Sequence, residues 1–311
     1  MSAEPVMAEN ITRRYRTGRG INDVSVAVAA GQCLGVLGAN GSGKTTLTRL
    51  VAGLDRVDRG RLLVLGTSAY PGSLDVRRRC GSALDTPAHW NTLTGRQNLY
   101  FFARQYGLAE PELSRRIDEL LDEAGLAGQA DEPAADYSFG MRRKLSIVQA
   151  LAHEPDLLIL DEASAGADAA FLERLTHWIK QRCERRQTTW VADNDLDWLS
   201  RTATHAILLA DGQIKARGAV PELMAAIGAQ NHVEIVLDQP ISIEPPEIAG
   251  IAQFQCRANQ ISAELDGNPE LPVELMRWIA SRGGRVRTVE IRTVTLREAL
   301  TRRTGSREAE P

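Results

Sequence analysis

A short run of small and polar residues near the N-terminus has the spacing of a phosphate-binding loop. Residues 38–45, GANGSGKT, match the pattern G-x-x-x-x-G-K-[ST] at every fixed position. Glycines let backbone N–H groups approach phosphate oxygens, while the lysine adds a positive charge and the threonine hydroxyl can bind Mg²⁺. We therefore predict that nucleotide phosphates contact Gly38, Asn40, Gly41, Ser42, Gly43, Lys44, Thr45 and Thr46.

A second set of chemical groups follows an apolar run near the middle of the chain. Residues 157–160, LLIL, lead directly into Asp161 and Glu162. Such a run predicts a buried strand that delivers both carboxylates at the edge where open α/β sheets bind ligands. Asp161 is suited to hold Mg²⁺, directly or through water, and the Thr45 hydroxyl can also bind this ion. Glu162 is suited to accept a proton from an attacking water molecule or to orient that water. The alternative is a strand that ends in two solvated acids, and the upstream loop favours the chemical interpretation.

The elements that must position these residues have the order of an α/β protein. Their near-continuous apolar runs favour a parallel sheet covered on both faces. The runs that predict strands lie at 32–38, 60–66, 156–160, 188–192 and 205–210. The spacing that predicts helices lies at 44–54, 95–106, 111–124, 138–152 and 169–185. Three of these helices follow one another, which indicates a helical lobe inserted into the sheet domain.

The C-terminal part indicates a second, smaller α/β unit. After Met224, the sequence AAIGAQN predicts a linker. Short strands then alternate with helices, predicted near 272–282 and 296–303. We predict a first domain over residues 5–228, with its helical subdomain at about 88–153, and a second domain over residues 232–305.

Composition narrows the class of protein. The chain has 311 residues and a net charge of −3, so it has no general attraction to nucleic acid. Its four cysteines lie far apart, which indicates reduced thiols in a cytosolic protein. No apolar run reaches the roughly 20 residues that cross a bilayer, and the N-terminus does not resemble a secretory signal. The short basic run at residues 142–144 is expected to be a solvated helix face.

Residues 137–145, YSFGMRRKL, make the prediction specific. Together with Asp161 and Glu162, this segment resembles the signature of ABC ATPases, which reads LSGGQ or, in the exporter-type branch, YSxGM followed by basic residues. The remaining motifs of this sequence occur in the same order as in the ABC ATPase family, so the resemblance covers almost the whole chain. The resemblance implies a P-loop NTPase core with a helical subdomain and a small C-terminal α/β accessory domain. It also implies an ATP-binding and ATP-hydrolysing subunit, using ATP and Mg²⁺, that powers a drug- or antibiotic-exporter-type transporter.

The resemblance also implies site roles and partners. Tyr15 is implied to stack on adenine, with a surface aromatic in a hairpin as the alternative. Ser138 and Gly140 are implied to contact the γ-phosphate held by a second subunit, although Ser138 also suits a plain helix cap. Asp168 is implied to belong to a loop that joins two sites across a head-to-tail dimer. The implied partners are this second ATP-binding subunit and an integral membrane permease. The chain would lie on the cytosolic face of the membrane and bind no nucleic acid.

Two departures from the family's pattern concern catalysis. Asp85 stands where the family has a glutamine, and we interpret it as a magnesium or water contact or as a loop residue. Asn194 stands in the place of a histidine, and its amide can donate a hydrogen bond to phosphate but cannot carry charge or shuttle a proton. We keep Asn194 beside Glu162 as a catalytic candidate and expect slower turnover, because loss of one stabilising group commonly costs about 10²- to 10³-fold.

Two further departures concern shape. Residues 162–168, EASAGAD, lack the proline and leucine of the family, so Ala163 and Ala167 are expected to loosen this loop. Phe139 replaces a small residue of the signature, and its bulk is expected to face either the composite site or the permease.

These departures leave a second function open. The chain could be an ATP-binding regulatory or hydrolysis-impaired subunit of a heteromeric complex. An ABC ATPase that acts on DNA or ribosomes ranks last, because the chain has neither a long coiled-coil insert nor a second cassette. The transported substrate, and the choice between a homodimer and a heterodimer, do not follow from the sequence.

Overall fold

A computed structural model describes residues 4–70, 72, 74–85, 88–226, 231–265 and 270–293. The chain divides into two compact units, Met1–Ala219 and Val220–Pro311. The predicted first domain extends to residue 228, whereas the structure groups the helix Val220–Ala226 with the second unit. Within the described ranges, no helix is long and apolar enough to span a bilayer.

The first unit alternates strands and helices, as the sequence predicts for an α/β protein. Its strands are β1 (Val6–Arg14), β2 (Gly20–Val28), β3 (Cys33–Leu37), β4 (Arg59–Val64), β5 (Thr67–Ser68), β6 (Cys80–Ala83), β7 (Leu157–Asp161), β8 (Thr188–Ala192), β9 (His205–Ala210) and β10 (Gln213–Ala219). Its helices are α1 (Lys44–Val51), α2 (Leu74–Arg79), α3 (Gly95–Gln105), α4 (Glu112–Glu123), α5 (Phe139–Leu151), α6 (Ala169–Glu184) and α7 (Leu196–Thr202).

The central sheet carries the chemical residues at one edge. Its strand order is β10-β9-β3-β8-β7-β6, and all neighbours are parallel except the antiparallel pair β9 and β10. Every residue of β3, β7 and β8 is buried, which is why their sequences are apolar without alternation. Because parallel strands end at the same side of a sheet, the residues that follow these three strands lie near one another.

A second sheet of the first unit is antiparallel, in the order β2-β1-β4-β5. Buried residues such as Val6, Ile11 and Val24 alternate imperfectly with exposed ones in β1 and β2. The register shifts within the pair formed by these two strands. The interrupted alternation explains why the sequence pattern did not predict either strand.

The helices α3, α4 and α5 follow one another between β6 and β7. Thr94 caps α3 in a capping box with Gln97, and Ser138 caps α5 by accepting a hydrogen bond from the N–H of Met141. Helix α4 buries one face of its surface, formed by Leu113, Ile117, Leu120 and Leu121. The Ser138 cap fixes the start of α5, where the signature residues lie.

Helix α1 is shorter than its apolar spacing predicts. The sequence pattern extends to Leu54, but the helix ends at Val51. Gly53 adopts a left-handed backbone, with φ of 68°, which terminates the helix, and the side chain of Leu54 is exposed. The prediction was wrong because a leucine after a helix-ending glycine still fits helical spacing.

The second unit contains α8 (Val220–Ala226), β11 (Asn231–Leu237), β12 (Ile251–Arg257), β13 (Gln260–Leu265), α9 (Leu271–Ser281) and β14 (Val286–Thr293). Its strands form an antiparallel sheet in the order β12-β13-β11-β14, and α9 packs on one sheet face through Leu271, Leu275 and Ile279. The predicted linker begins too early, because Ala225 and Ala226 belong to α8. The helix predicted at 296–303 lies outside the described residues.

Candidate nucleotide site

The phosphate-binding loop joins β3 to α1, and α1 begins at Lys44. Gly43 precedes the helix with φ of 107°, and a Cβ there would lie 2.8 Å from Cγ2 of Ile21. Only glycine fits this position without strain. The first N–H groups of α1, and the positive end of its dipole, therefore face the loop that the sequence predicts to hold phosphate.

Lys44 is buried within this loop. Its ammonium group donates hydrogen bonds to the carbonyl oxygens of Gly38, at 2.7 Å, and Ala39, at 3.1 Å. Burial lowers the pKa of Lys44, and the nearby carboxylates of Glu162 and Asp161 oppose that shift. The charge of Lys44 thus lies near both the loop and the acidic pair. The structure brings the loop and the acidic pair together, as predicted from the sequence.

Asp161 ends β7 with its carboxylate almost fully buried. Neither carboxylate oxygen accepts a hydrogen bond of normal geometry in the described part of the chain, although the Thr45 hydroxyl lies close enough to affect its titration. Burial raises the pKa of Asp161 to about 6, and Thr45 opposes the rise. Hard oxygen donors suit Mg²⁺, so the buried carboxylate of Asp161 and the exposed hydroxyl of Thr45 beside it fit this ion.

Glu162 follows with a left-handed backbone. Its φ is 56°, which is uncommon for a residue with a side chain, and its N–H donates to the carbonyl of Ala192 at 2.7 Å. The amide nitrogen of Asn194 donates to Oε1 of Glu162 at 3.3 Å. The structure therefore brings together the two residues that the sequence selects for catalysis.

The loop after Glu162, which Ala163 and Ala167 are expected to loosen, is tied to Asp193 through Ser164. The backbone N–H of Ser164 donates to Oδ2 of Asp193 at 2.8 Å, and its hydroxyl donates to Oδ1 at 2.5 Å. Ala163 itself is fully buried. The sequence pattern missed both Ser164 and Asp193, because each lies beside a more recognisable residue.

Ser138 and Phe139 are exposed at the start of α5, and Phe139 and Gly140 contact the same loop. A Cβ on Gly140 would lie 2.4 Å from the carbonyl oxygen of Gly166, so this position requires glycine. Phe139 is 59% exposed, and its ring lies against Gly166. Its ring therefore contacts the loop after Glu162 in its own chain, and whether its exposed part faces the composite site or the permease stays a prediction.

An ion pair joins α5 to the start of α6. The ammonium of Lys144 lies 2.5 Å from Oδ2 of Asp168, and this contact lowers the pKa of Asp168. Oδ1 of Asp168 accepts a hydrogen bond from the N–H of Phe171 and caps α6. Asp168 thus holds the end of its loop to the signature helix.

Arg143 contradicts the expectation that residues 142–144 form a solvated face. Its side chain is 4% exposed, and Nη1 donates to the carbonyl of Leu84 at 2.6 Å. Burial lowers its pKa, and the carboxylates of Asp161, Asp193 and others nearby oppose that shift. The exposed Asp85 is among these carboxylates, next to Leu84 after β6. Arg143 therefore connects the signature helix to the acidic side of the site.

Tyr15 lies between β1 and β2 and is held in place by two neighbours. Its hydroxyl donates to Oδ2 of Asp55 at 2.8 Å, and the Arg13 guanidinium lies 5.0 Å from the ring centroid. Neither contact involves the phosphate-binding loop. The position is compatible with both predicted roles of Tyr15, a base-stacking ring and a hairpin aromatic.

Comparison with known proteins decides the family. The sequence pattern that defines the ABC transporter family matches residues 21–165. An uncharacterised ABC transporter ATP-binding protein, YdbJ of Bacillus subtilis (strain 168), is 32% identical over 216 residues, which cover 69% of this chain and 69% of that protein. The chain belongs to the ABC transporter family.

Two further matches agree with this membership. The SkfA peptide export ATP-binding protein SkfE of Bacillus subtilis (strain 168) is 28% identical over 217 residues, covering 70% of this chain and 90% of SkfE. A solved structure of an ATP-binding subunit of an ABC transporter shares 27% identity with a TM-score of 0.67, covering 72% of this chain and 93% of that one. This ABC chain is an ATP-binding subunit and an ATPase with the ABC ATPase fold. Subunits of this kind dimerise and work with membrane permeases.

Proposed function

We propose that this chain hydrolyses ATP, with Mg²⁺, to power export through a separate membrane permease. The observation that carries the proposal is the meeting of three groups at one sheet edge, namely the buried Lys44, the buried carboxylate of Asp161 and the Asn194–Glu162 pair. The name of SkfE, a peptide export protein, supports the outward direction.

The phosphates of ATP are proposed to lie along the phosphate-binding loop. The N–H groups of residues 38–46 and the ammonium of Lys44 bind the β- and γ-phosphates, and Tyr15 contacts the adenine. Thr45 and Asp161 would hold Mg²⁺, with Asp85 as a further magnesium or water contact, and the bound ion would supply positive charge for the phosphate oxygens. A buried carboxylate at Asp161 would be costly without such a cation.

Glu162 is proposed to carry the proton chemistry. It orients a water molecule against the γ-phosphorus and accepts its proton, while the bond to the β-phosphate oxygen breaks and ADP leaves. The Asn194 amide donates a long hydrogen bond to Glu162 and so favours one orientation of the carboxylate. Since an amide does not titrate in the range of histidine, Asn194 orients groups without shuttling a proton.

The surface residues of the site are proposed to serve a second ATP-binding subunit. Ser138 and Gly140 lie at the start of α5, where free N–H groups of a helix favour an anion, and they would complete the site of the other subunit. Asp168 would lie at the same interface. Each subunit then completes the other's site about a two-fold axis.

A pair of exposed aromatic rings supports docking to the permease. Trp90 is 56% exposed and Phe101 is 45% exposed, and their ring centroids lie 6.2 Å apart in an edge-to-face arrangement. Trp90 lies on the segment between Asp85 and α3, so a partner at this surface could influence the carboxylate side of the site. We place the chain on the cytosolic face of the membrane, bound to the permease there.

Steady-state ATPase activity of the Glu162→Gln variant tests this function. Glutamine keeps the shape of the side chain but cannot accept the proton, so kcat is expected to fall by about 10²- to 10⁴-fold. ATP affinity should stay within about threefold of the wild type, because the phosphate-binding groups are unchanged. The proposed role fails if this variant hydrolyses ATP at the wild-type rate. The exposed Glu173→Gln serves as the control.

The hydrolysis-impaired subunit remains the second candidate, and the neutral Asn194 favours it. In that case, Asn194→His should raise kcat, since an imidazole can also contribute charge near the γ-phosphate. Robust wild-type turnover, unchanged or lowered by the histidine, would instead remove this candidate. ATPase assays of the purified chain with saturating ATP and Mg²⁺ decide between the two outcomes.

A further inference from the structure

Asp193 is a buried carboxylate that no role proposed above uses. It directly follows β8, comes immediately before Asn194, and is 1% exposed. A carboxylate removed from water is costly unless hydrogen bonds compensate for the lost hydration. The neighbouring Asp161 and Glu162 make this a poor place for another negative charge unless it has a specific task.

The hydrogen bonds of Asp193 come from the two loops that carry the proposed catalytic pair. Ser164 donates through its backbone N–H to Oδ2, at 2.8 Å, and through its hydroxyl to Oδ1, at 2.5 Å. The N–H of Asp195 also donates to Oδ1, at 2.8 Å. One carboxylate therefore joins a residue two positions after Glu162 to a residue one position after Asn194.

These bonds restrict the distance between the two functional side chains. The hydrogen bond from the N–H of Glu162 to the carbonyl of Ala192 holds the ends of β7 and β8 together, but it does not restrain the loops that follow these two strands. The bond from Asn194 to Glu162 is 3.3 Å long, which is near the limit for a hydrogen bond, so it is poorly suited to hold the loops by itself. The shorter and more numerous bonds of Asp193 are better suited to that task.

We infer that Asp193 and Ser164 are positioning residues for ATP hydrolysis, which hold Glu162 against Asn194 in the orientation used for attack by water. The inference rests on the proposed role of Glu162. Neither positioning residue needs to touch the nucleotide. Because the reacting geometry is sensitive to displacements of about 1 Å, loosening this pair should act on the chemical step more than on ATP binding.

The variant Ser164→Ala removes the hydroxyl bond and keeps the backbone bond. We expect kcat to fall by about 10-fold while KM for ATP changes by less than about twofold. Ser164→Thr keeps the hydroxyl and is expected to restore most of kcat. Asp193→Asn is a second variant, since its amide retains only one acceptor oxygen, and it should lower kcat at least as much.

Thr176→Val is the matched control. The Thr176 hydroxyl also bonds the helices that follow the two loops, since it accepts from Nε1 of Trp198 at 3.0 Å and donates to the carbonyl of Leu172 at 2.8 Å. It therefore connects the helices that follow the two loops, away from the reacting groups. We expect Thr176→Val to lower the denaturation midpoint while leaving kcat near the wild-type value.

Three results would overturn the inference: a wild-type kcat for Ser164→Ala, an equal loss of kcat in Thr176→Val, or a failure of Ser164→Thr to restore activity. Glu162→Gln, assayed in parallel, separates this inference from the proposed function. If Glu162→Gln is inactive while Ser164→Ala is fully active, only the positioning pair is wrong. If Glu162→Gln is itself fully active, the proposed role of Glu162 is wrong.

Discussion

At the scale of single residues, buried charge marks the site more clearly than sequence motifs do. Lys44, Arg143 and Asp161 are all buried, and burial shifts the pKa of each towards its neutral form. Each charge is tolerated because opposite charges lie nearby. The motif predicted Lys44 and Asp161, whereas Arg143 was hidden inside a basic run that resembled a solvated face.

The variant Lys44→Met tests the contribution of one such charge. A hydrogen bond to a charged group is worth about 1.5–3 kcal/mol, so ATP affinity is expected to fall by about 10- to 100-fold. Equilibrium titration with ATP measures the change. The exposed Lys215, whose ammonium bonds to Gln213, provides the control Lys215→Met, which should bind ATP as the wild type does. Wild-type affinity in Lys44→Met would contradict the phosphate-binding role.

At the scale of elements, side-chain and backbone contacts connect the signature helix α5 to the loop before α6. The contact of Phe139 with Gly166, the close approach of Gly140 and the Lys144–Asp168 ion pair all join them. A displacement at the start of α5 is therefore expected to reach the loop that begins at Glu162. We expect a second subunit bound at α5 to influence the Glu162 carboxylate through these contacts.

A double-mutant cycle measures this contact. In Gly166→Ala, the new Cβ would lie 2.5 Å from Cδ1 of Phe139, in a backbone with φ of 70°, so stability should fall by about 1–3 kcal/mol. In a Phe139→Ala background the loss should be smaller by about 1 kcal/mol. Gly66→Ala is the control for backbone strain alone, because its φ is 82° and its Cβ would meet nothing within 4 Å. Additive effects in chemical denaturation would show that the ring does not press on the loop.

Sequence reasoning succeeded where a local pattern and the tertiary environment agree. The glycine loop, β7 and the start of α5 were predicted, because their residues satisfy local backbone and burial requirements together. It failed where the cause is non-local. The pairing of Ser164 with Asp193 depends on two strands being neighbours in the sheet, and this neighbourhood is set by distant parts of the chain.

At the scale of the whole molecule, stability is expected to depend on pH through His153. This side chain stacks on Tyr106, with ring centroids 3.6 Å apart, and burial lowers its pKa from 6.5 to about 4. The unfolded chain therefore binds a proton more readily than the folded chain between these values. The contribution of His153 to the free energy of unfolding is therefore fully present above pH 6.5 and is lost as the pH falls towards 4.

Replacing His153 should make the free energy of unfolding depend less on pH in the acidic range. Between pH 6.5 and 4, the wild type is expected to lose up to about 3 kcal/mol through His153, and His153→Gln should lose less. Tryptophan fluorescence during denaturation reports mainly on the first unit, which carries Trp90, Trp178, Trp190 and Trp198. The exposed His177→Gln is the control. An unchanged slope in His153→Gln would show that other groups cause the acid loss.

The contact between Phe139 and Gly166 also has a consequence for how this sequence can change over generations. Gly166 has φ of 70°, which strains any residue with a side chain, and a Cβ there would also lie 2.5 Å from Cδ1 of Phe139. Replacing the ring by a smaller residue removes the close contact but leaves the backbone strain, so a mutation at position 166 should cost less once the ring is gone. The order of substitutions is therefore constrained, and descendants of this chain should replace position 139 before position 166.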